Sequence, residues 1–175
     1  MLEDWQIQKF DEMGYDMGTL KHRELLIEKL QNHFPFDTLL DVGCATGPDI
    51  ALINMVFPTV EVIGFDKDPV NILQAREKNL AAKLSVGDLR YVLSTYPDKS
   101  IDVVLTNGVI MYHEKENIDQ LLRIARKAVV MSEKTPGEHY TLFLKEKGIT
   151  PTVTKITREI RQPWEEDGFI YEIKV

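Results

Sequence analysis

The stretch Leu39-Leu40-Asp41-Val42-Gly43-Cys44-Ala45-Thr46-Gly47 constrains this chain more than any other. It reads as a buried strand ending in an acid, followed by a glycine turn and a helix that opens at Pro48. Such a junction builds a nucleotide-sized site at the carboxyl edge of a parallel sheet. A helix N-terminus ordinarily welcomes phosphate. Here Asp41 and Asp49 set two carboxylates beside it, and like charges repel. The turn is therefore expected to suit a ligand with an adenosine, no phosphate and a positive charge.

Strands and helices alternate on both sides of that turn. Residues 1–19 have no regular pattern and are assigned no element. Apolar spacing predicts a helix from Leu20 to Phe34, stopped by Pro35. Strands follow at Thr38–Val42, Val60–Phe65, Lys83–Val86, Ile101–Thr106 and Val129–Ser132. Helices lie between them at Pro48–Phe57, Pro69–Leu80 and Asn117–Ala128, with Pro at the favoured first position of two. A further helix is placed around His139–Lys147. Two consecutive strands, Thr152–Ile160 and Gly168–Val175, then imply an antiparallel hairpin on the sheet edge. The expected fold is α/β: a doubly wound, mostly parallel sheet of seven strands with an antiparallel C-terminal hairpin strand, in a single domain. Residues 1–37 form an N-terminal arm and helix, and 38–175 the ligand-binding domain.

Composition bounds the function. With 43% apolar and 28% charged residues, the 175-residue chain can bury a core without disulfides or metal. A net charge of -7 suits neither nucleic acid nor the phosphate neutralisation that dominates its binding. The lone cysteine, Cys44, cannot form an internal disulfide, which fits a reducing compartment. The first residues lack a signal-peptide core and no apolar run reaches membrane-spanning length, so a cytoplasmic protein without a membrane partner is expected.

Acids and amides fall at successive strand ends: Asp41, Asp66, Asp88 and Asn107. A parallel sheet brings all four to one edge. Asp66, roughly 20 residues after the glycine turn, can accept both ribose hydroxyl protons. Asp88 can accept from an adenine amine while the Leu89 amide donates to a ring nitrogen. Gly43 and Gly47 allow close backbone approach. Asp41, Asn107 and Asp49 can face an ammonium group. Each acid also has a plain structural reading as a turn former or helix cap. For Asp68, ahead of Pro69, the cap is the favoured one, and Cys44 reads as a small packing residue.

This ordered set resembles the class I S-adenosylmethionine-dependent methyltransferases, from about Leu39 to Val175. Asp41-Val42-Gly43-Cys44-Ala45-Thr46-Gly47 looks like their first motif, with Ala45 where glycine is frequent. Asp66 matches the ribose-binding acid, Asp88 the adenine-side acid, and Thr106-Asn107-Gly108-Val109 the segment after strand four. The resemblance implies S-adenosylmethionine as cofactor. Its expected site is Asp41, Gly43, Cys44, Ala45, Gly47, Asp49, Asp66, Lys67, Asp88, Leu89, Asn107 and Gly108. Asn107-Gly108-Val109-Ile110 lacks the Asn/Asp-Pro-Pro-aromatic tetrad of enzymes that methylate nucleobase amines. A small-molecule or sugar-like acceptor is expected instead.

In-line methyl transfer asks the protein mainly to position two reactants. Where the acceptor must lose a proton, His113 is the candidate general base and Tyr112 a pocket wall. His22, His33 and His139 show no convincing partner, and no Cys/His spacing suggests a metal. Trp5, Phe10 and Tyr15 can form a lid or simply pack on the domain. The short Glu133–Glu138 segment leaves the site thinly capped, which suits a large acceptor or a wall borrowed from a second subunit in a homodimer. Two alternatives stay open: an NAD-dependent oxidoreductase, disfavoured by Asp41 and the broken Gly-x-Gly-x-x-Gly pattern, and a non-catalytic S-adenosylmethionine-binding module.

Overall fold

A computed structural model describes residues 1–110, 116–133, 138–157, 160 and 168–175. Seven strands form one sheet: β1 (Thr38–Val42), β2 (Glu61–Asp66), β3 (Ala82–Val86), β4 (Ile101–Asn107), β5 (Ala125–Glu133), β6 (Thr152–Ile156) and β7 (Gly168–Lys174). Their order is β3-β2-β1-β4-β5-β7-β6. The first five strands run parallel, and β7 is antiparallel to both β5 and β6. The chain order reverses beside β1, between β2 and β4, which is where ligands bind in open α/β sheets.

The helices among the described residues are α1 (Asp4–Glu12), α2 (Leu20–Gln31), α3 (Pro48–Val56), α4 (Pro69–Glu77), α5 (Leu89–Thr95), α6 (Glu116–Ile124) and α7 (Glu138–Glu146). The central strands alternate their side chains between two cores. Leu39, Val103 and Leu105 pack with Phe10, Leu26, Leu30, Ile50 and Ile53 on one face. Leu40, Val42, Val104 and Met131 pack with Leu93, Leu121 and Leu144 on the other. Strands covered on both faces are expected to be almost continuously apolar, as β1 and β4 are. Among the described residues, no helix is long and apolar enough to cross a membrane.

Several elements depart from the sequence expectation. Residues 4–12 form α1, although only Ile7 and Phe10 mark an apolar stripe. The Gln6 side chain accepts from the Glu3 amide at 2.8 Å and donates to the Met55 carbonyl at 3.3 Å, so a polar residue supplies the contact that apolar periodicity would signal. Helix α5, unassigned from sequence, is short and is capped by Asp88, whose side chain accepts from the Arg90 amide at 3.0 Å. The helix expected to reach Ala128 stops at Ile124, because Ala125 already pairs with Ile101 in the sheet. Strand β6 ends at Ile156, opposite Gly168, where β7 begins.

At the opposite sheet edge from the strand tips, Asp102 ties three segments together. It is 2% exposed and accepts from the Asp37 and Thr38 amides at 2.8 and 3.3 Å. Arg126 Nε lies 3.0 Å from its carboxylate. Burial works against the charge, but the two amides, with Lys127 and Arg126, outweigh it and hold the carboxyl below its usual range. A depressed folded-state pKa contributes stability above the unfolded value, and that stability fades as pH falls through the folded one. Asp102→Ala should cost about 2–4 kcal/mol at pH 7, since it leaves two backbone donors unpaired. The deficit in denaturant unfolding should shrink below about pH 4; an equal deficit at acid and neutral pH would show that the charge is irrelevant.

Candidate functional site

The tips of β1, β2, β3 and β4 open on one cavity of about 370 Å³. That volume lies in the range of small-ligand sites. Of the residues expected from sequence, Gly43, Ala45, Asp66, Lys67, Asp88, Leu89, Asn107 and Gly108 line it. Phe65, Asp68, Asn71, Gly87 and Val109 line it as well. Asn71 carried no motif signal, yet it follows the Asp68 cap by one turn of α4, and the helix start faces the cavity. Asp41, Cys44, Gly47 and Asp49 are not in the lining. Tyr112 and His113 lie outside the described residues, as does the His139 side chain.

Three left-handed backbone positions shape the turn. Gly43 has φ +71°, and a Cβ there would come within 2.4 Å of Val109 Cγ2. Gly47, at φ +85°, would meet Leu80 Cδ1 at 2.3 Å. Ala45 takes φ +48° despite its Cβ, a conformation that costs a non-glycine residue about 1–2 kcal/mol. Its amide donates to Asp66 Oδ2 at 2.9 Å, which holds the turn against the tip of β2.

Asp66 has further tasks. Its Oδ1 accepts from the Asp68 amide at 2.9 Å and from Asn71 Nδ2 at 3.3 Å. A carboxylate offers about four lone-pair sites. Oδ1 is therefore filled, and Oδ2 keeps room for one more donor. Asp68 caps α4 by accepting from the Val70 amide at 2.8 Å, as its place before Pro69 suggests. Asp88 both caps α5 and faces the cavity.

Asp41 and Asp49 lie behind the lining, and their charges differ from the sequence expectation. Asp49 pairs with Arg23 Nη1 and accepts from Asn107 Nδ2 at 3.1 Å. Burial disfavours its charge, but the Arg23 guanidinium and these two hydrogen bonds hold its carboxyl below the usual range. Asp41 is 1% exposed, and its Oδ2 has no hydrogen-bond partner among the described residues. Burial, with Asp49 and Asp66 nearby, pushes it well above the usual carboxylate range. The pair thus does not present two free negative charges to a ligand. The acids that line the cavity are instead Asp66, Asp68 and Asp88, with Lys67 among them. Cys44 is buried in the core, and burial pushes its thiol up.

The N-terminal aromatics pack rather than line the cavity. Phe10 and Tyr15 are buried with ring centroids 4.9 Å apart, and Tyr15 Oη donates to the Thr46 carbonyl at 3.0 Å. Trp5 is exposed and donates to Glu3. His22 Nε2 lies 2.9 Å from Ser132 Oγ, a partner that the sequence did not reveal, whereas His33 Nε2, 3.7 Å from Glu172, is buried with no hydrogen-bond partner among the described residues. Glu133, at the end of β5, accepts from the Val109 and Ile110 amides at 3.2 and 2.9 Å and fixes the loop after β4. Among the described residues, no cluster of His, Cys, Asp or Glu is arranged to hold a metal ion.

Residues 39–130 match the methyltransferase domain family. The uncharacterized methyltransferase C70.08c of Schizosaccharomyces pombe is 29% identical over 124 residues, covering 71% of this chain and 45% of that protein. The trans-aconitate 2-methyltransferase of Methylobacterium radiotolerans is 30% identical over 73 residues, 42% of this chain and 27% of that protein. The chain thus spans less than half the length of these relatives. The plantazolicin methyltransferase BpumL, solved in complex with SAH, superposes with a TM-score of 0.70 at 15% identity, covering 95% of this chain and 89% of that one. At that identity the likeness is one of fold.

The contact between Gly43 and Val109 makes the turn testable. Gly43→Ala should cost about 2–4 kcal/mol, part from the left-handed backbone and part from the clash with Val109. Adding Val109→Ala should recover the steric part and leave about 1–2 kcal/mol. Thermal unfolding of the four proteins in this cycle measures both parts; strictly additive losses would mean the two residues do not touch.

Proposed function

This chain belongs to the methyltransferase domain family, and we propose that it transfers the methyl group of S-adenosylmethionine to a small-molecule acceptor. The observation that carries this reading is the acceptor-rich cavity at the four joined strand tips. The bound cofactor would supply a methyl group on a sulfonium, open to in-line attack. Transfer would exchange that C–S bond for a bond to the acceptor atom, and the proton of a protic acceptor would pass to the base assigned below.

The chain's own residues hold and orient. Asp66 takes a ribose hydroxyl on the open site of Oδ2, and a second hydroxyl is accepted if Asn71, held at 3.3 Å, swings away. Asp88 and the Leu89 amide read the adenine. Gly43, Ala45 and Gly108 let backbone approach the thioether region. The Asn107 side chain, lining the cavity, faces the ammonium end. Lys67 stands at the same rim as Asp66. For an acceptor that must shed a proton, we assign the base to His113, shortly after the Asn107-Gly108 segment. The name of the trans-aconitate 2-methyltransferase supports a small acceptor, sugar-like compounds included among those to be screened.

Asp66→Ala should weaken binding of the product S-adenosylhomocysteine by about 1.5–3 kcal/mol in calorimetric titration. Unchanged affinity in the folded variant would remove Asp66 from the site. A screen of small acceptors should show sustained methyl transfer; tight binding with no turnover on any acceptor would favour the pure binding module. Once an acceptor is found, His113→Ala should lower kcat and leave S-adenosylhomocysteine affinity as it was. Unaltered kcat would take the imidazole out of the mechanism.

A further inference from the structure

Arg23 stands on α2, outside the cavity lining, and no motif marks it. Its Nη1 pairs with Asp49 Oδ1, and its Nε donates to Thr19 Oγ1 at 3.1 Å. The other oxygen of Asp49 accepts from Asn107 Nδ2 at 3.1 Å. The Arg23 and Asp49 side chains are only 15% and 12% exposed, so solvent screens this pair weakly. The three residues form a chain from helix α2, through the start of α3, to the tip of β4.

The chemistry of that chain has one consequence at the cavity wall. An ionised carboxylate can only accept hydrogen bonds. While Arg23 keeps Asp49 ionised, Asp49 takes the NH2 end of the Asn107 amide. The amide orientation is thereby fixed, with its acceptor end, Oδ1, turned away from Asp49 on a residue that lines the cavity. A neutral group at position 49 could donate to Asn107 instead. The amide could then turn and offer its NH2 end to the ligand, which repels a cation.

We propose that Arg23 is a positioning residue for the amino-acid end of the cofactor: acting through Asp49, it makes the Asn107 side chain an acceptor toward the ligand's ammonium group. The inference rests on the proposed S-adenosylmethionine site and adds to it a residue that touches neither cofactor nor acceptor.

The test compares three ligands by calorimetry. S-adenosylhomocysteine carries the ammonium and the carboxylate. Its decarboxylated analogue, S-adenosyl-3-thiopropylamine, keeps only the ammonium. 5′-Methylthioadenosine has neither. Asp49→Asn, close in shape and so able to fold, should weaken the first two by about ten-fold or more and the third by less than about two-fold. Arg23→Met should give the same pattern, and Arg23→Lys should return the first two to within about three-fold of wild type. Equal losses for all three ligands would show a merely structural pair. Loss for S-adenosylhomocysteine alone would show that Arg23 meets the carboxylate directly. Undiminished affinity in Asp49→Asn would leave the chain idle. Each of these three results overturns the inference while the cofactor reading stands. Wild-type protein that binds none of the ligands would overturn both.

Discussion

Two hydrogen bonds join the turn after β1 to the tip of β2: the Cys44 amide on the Phe65 carbonyl and the Ala45 amide on Asp66 Oδ2, both at 2.9 Å. The first ties backbone to backbone, and the second reaches the carboxylate that faces the cavity. With these bonds the two segments form a single wall, and the Asp66 carboxylate is oriented before any ligand arrives. The Asp68 amide and Asn71 fix its other oxygen. A pre-oriented carboxylate loses less freedom on binding than a mobile one, and so more of its hydrogen-bond energy appears as affinity. Ala45 pays for this with a left-handed backbone, which a glycine would adopt without strain.

Behind that wall, charge is arranged so that little of it is left bare. Asp49 is ionised and answered by Arg23, while Asp41 is buried beside it and pushed toward its neutral form. Two carboxylates that close could not both stay charged without a cation. The arrangement spares the site a strong negative field directly beneath the glycine turn. It leaves Asp66, Asp68 and Asp88 as the acids that line the cavity.

Much of this was legible in the sequence, for a simple reason. A strand buried on both faces is an apolar run, and the first acid or amide after the run marks its tip. Asp41, Asp66 and Asn107 were found that way, and the parallel order of the strands brings their ends together. What stayed hidden depends on contacts distant in sequence. Arg23 meets Asp49 across 26 residues, with no motif to announce it. Helix α1 is held by Gln6 on the Met55 carbonyl, a polar contact that apolar periodicity misses. The end of α6 is set by the pairing of Ala125 with Ile101, which overrides helical spacing. The charge states of Asp41 and Asp49 likewise need their neighbours in space, and so the two could not be told apart along the chain.

The central claim is that one ligand meets four strand tips at once. Backbone amide resonances followed during titration with S-adenosylhomocysteine measure this directly. Gly43, Ala45, Asp66, Gly87, Leu89 and Gly108 should shift together along a single binding curve, while Lys155 and Glu172, in the β6–β7 pair, stay in place. Shifts confined to one tip, or centred on the β6–β7 edge, would contradict the account.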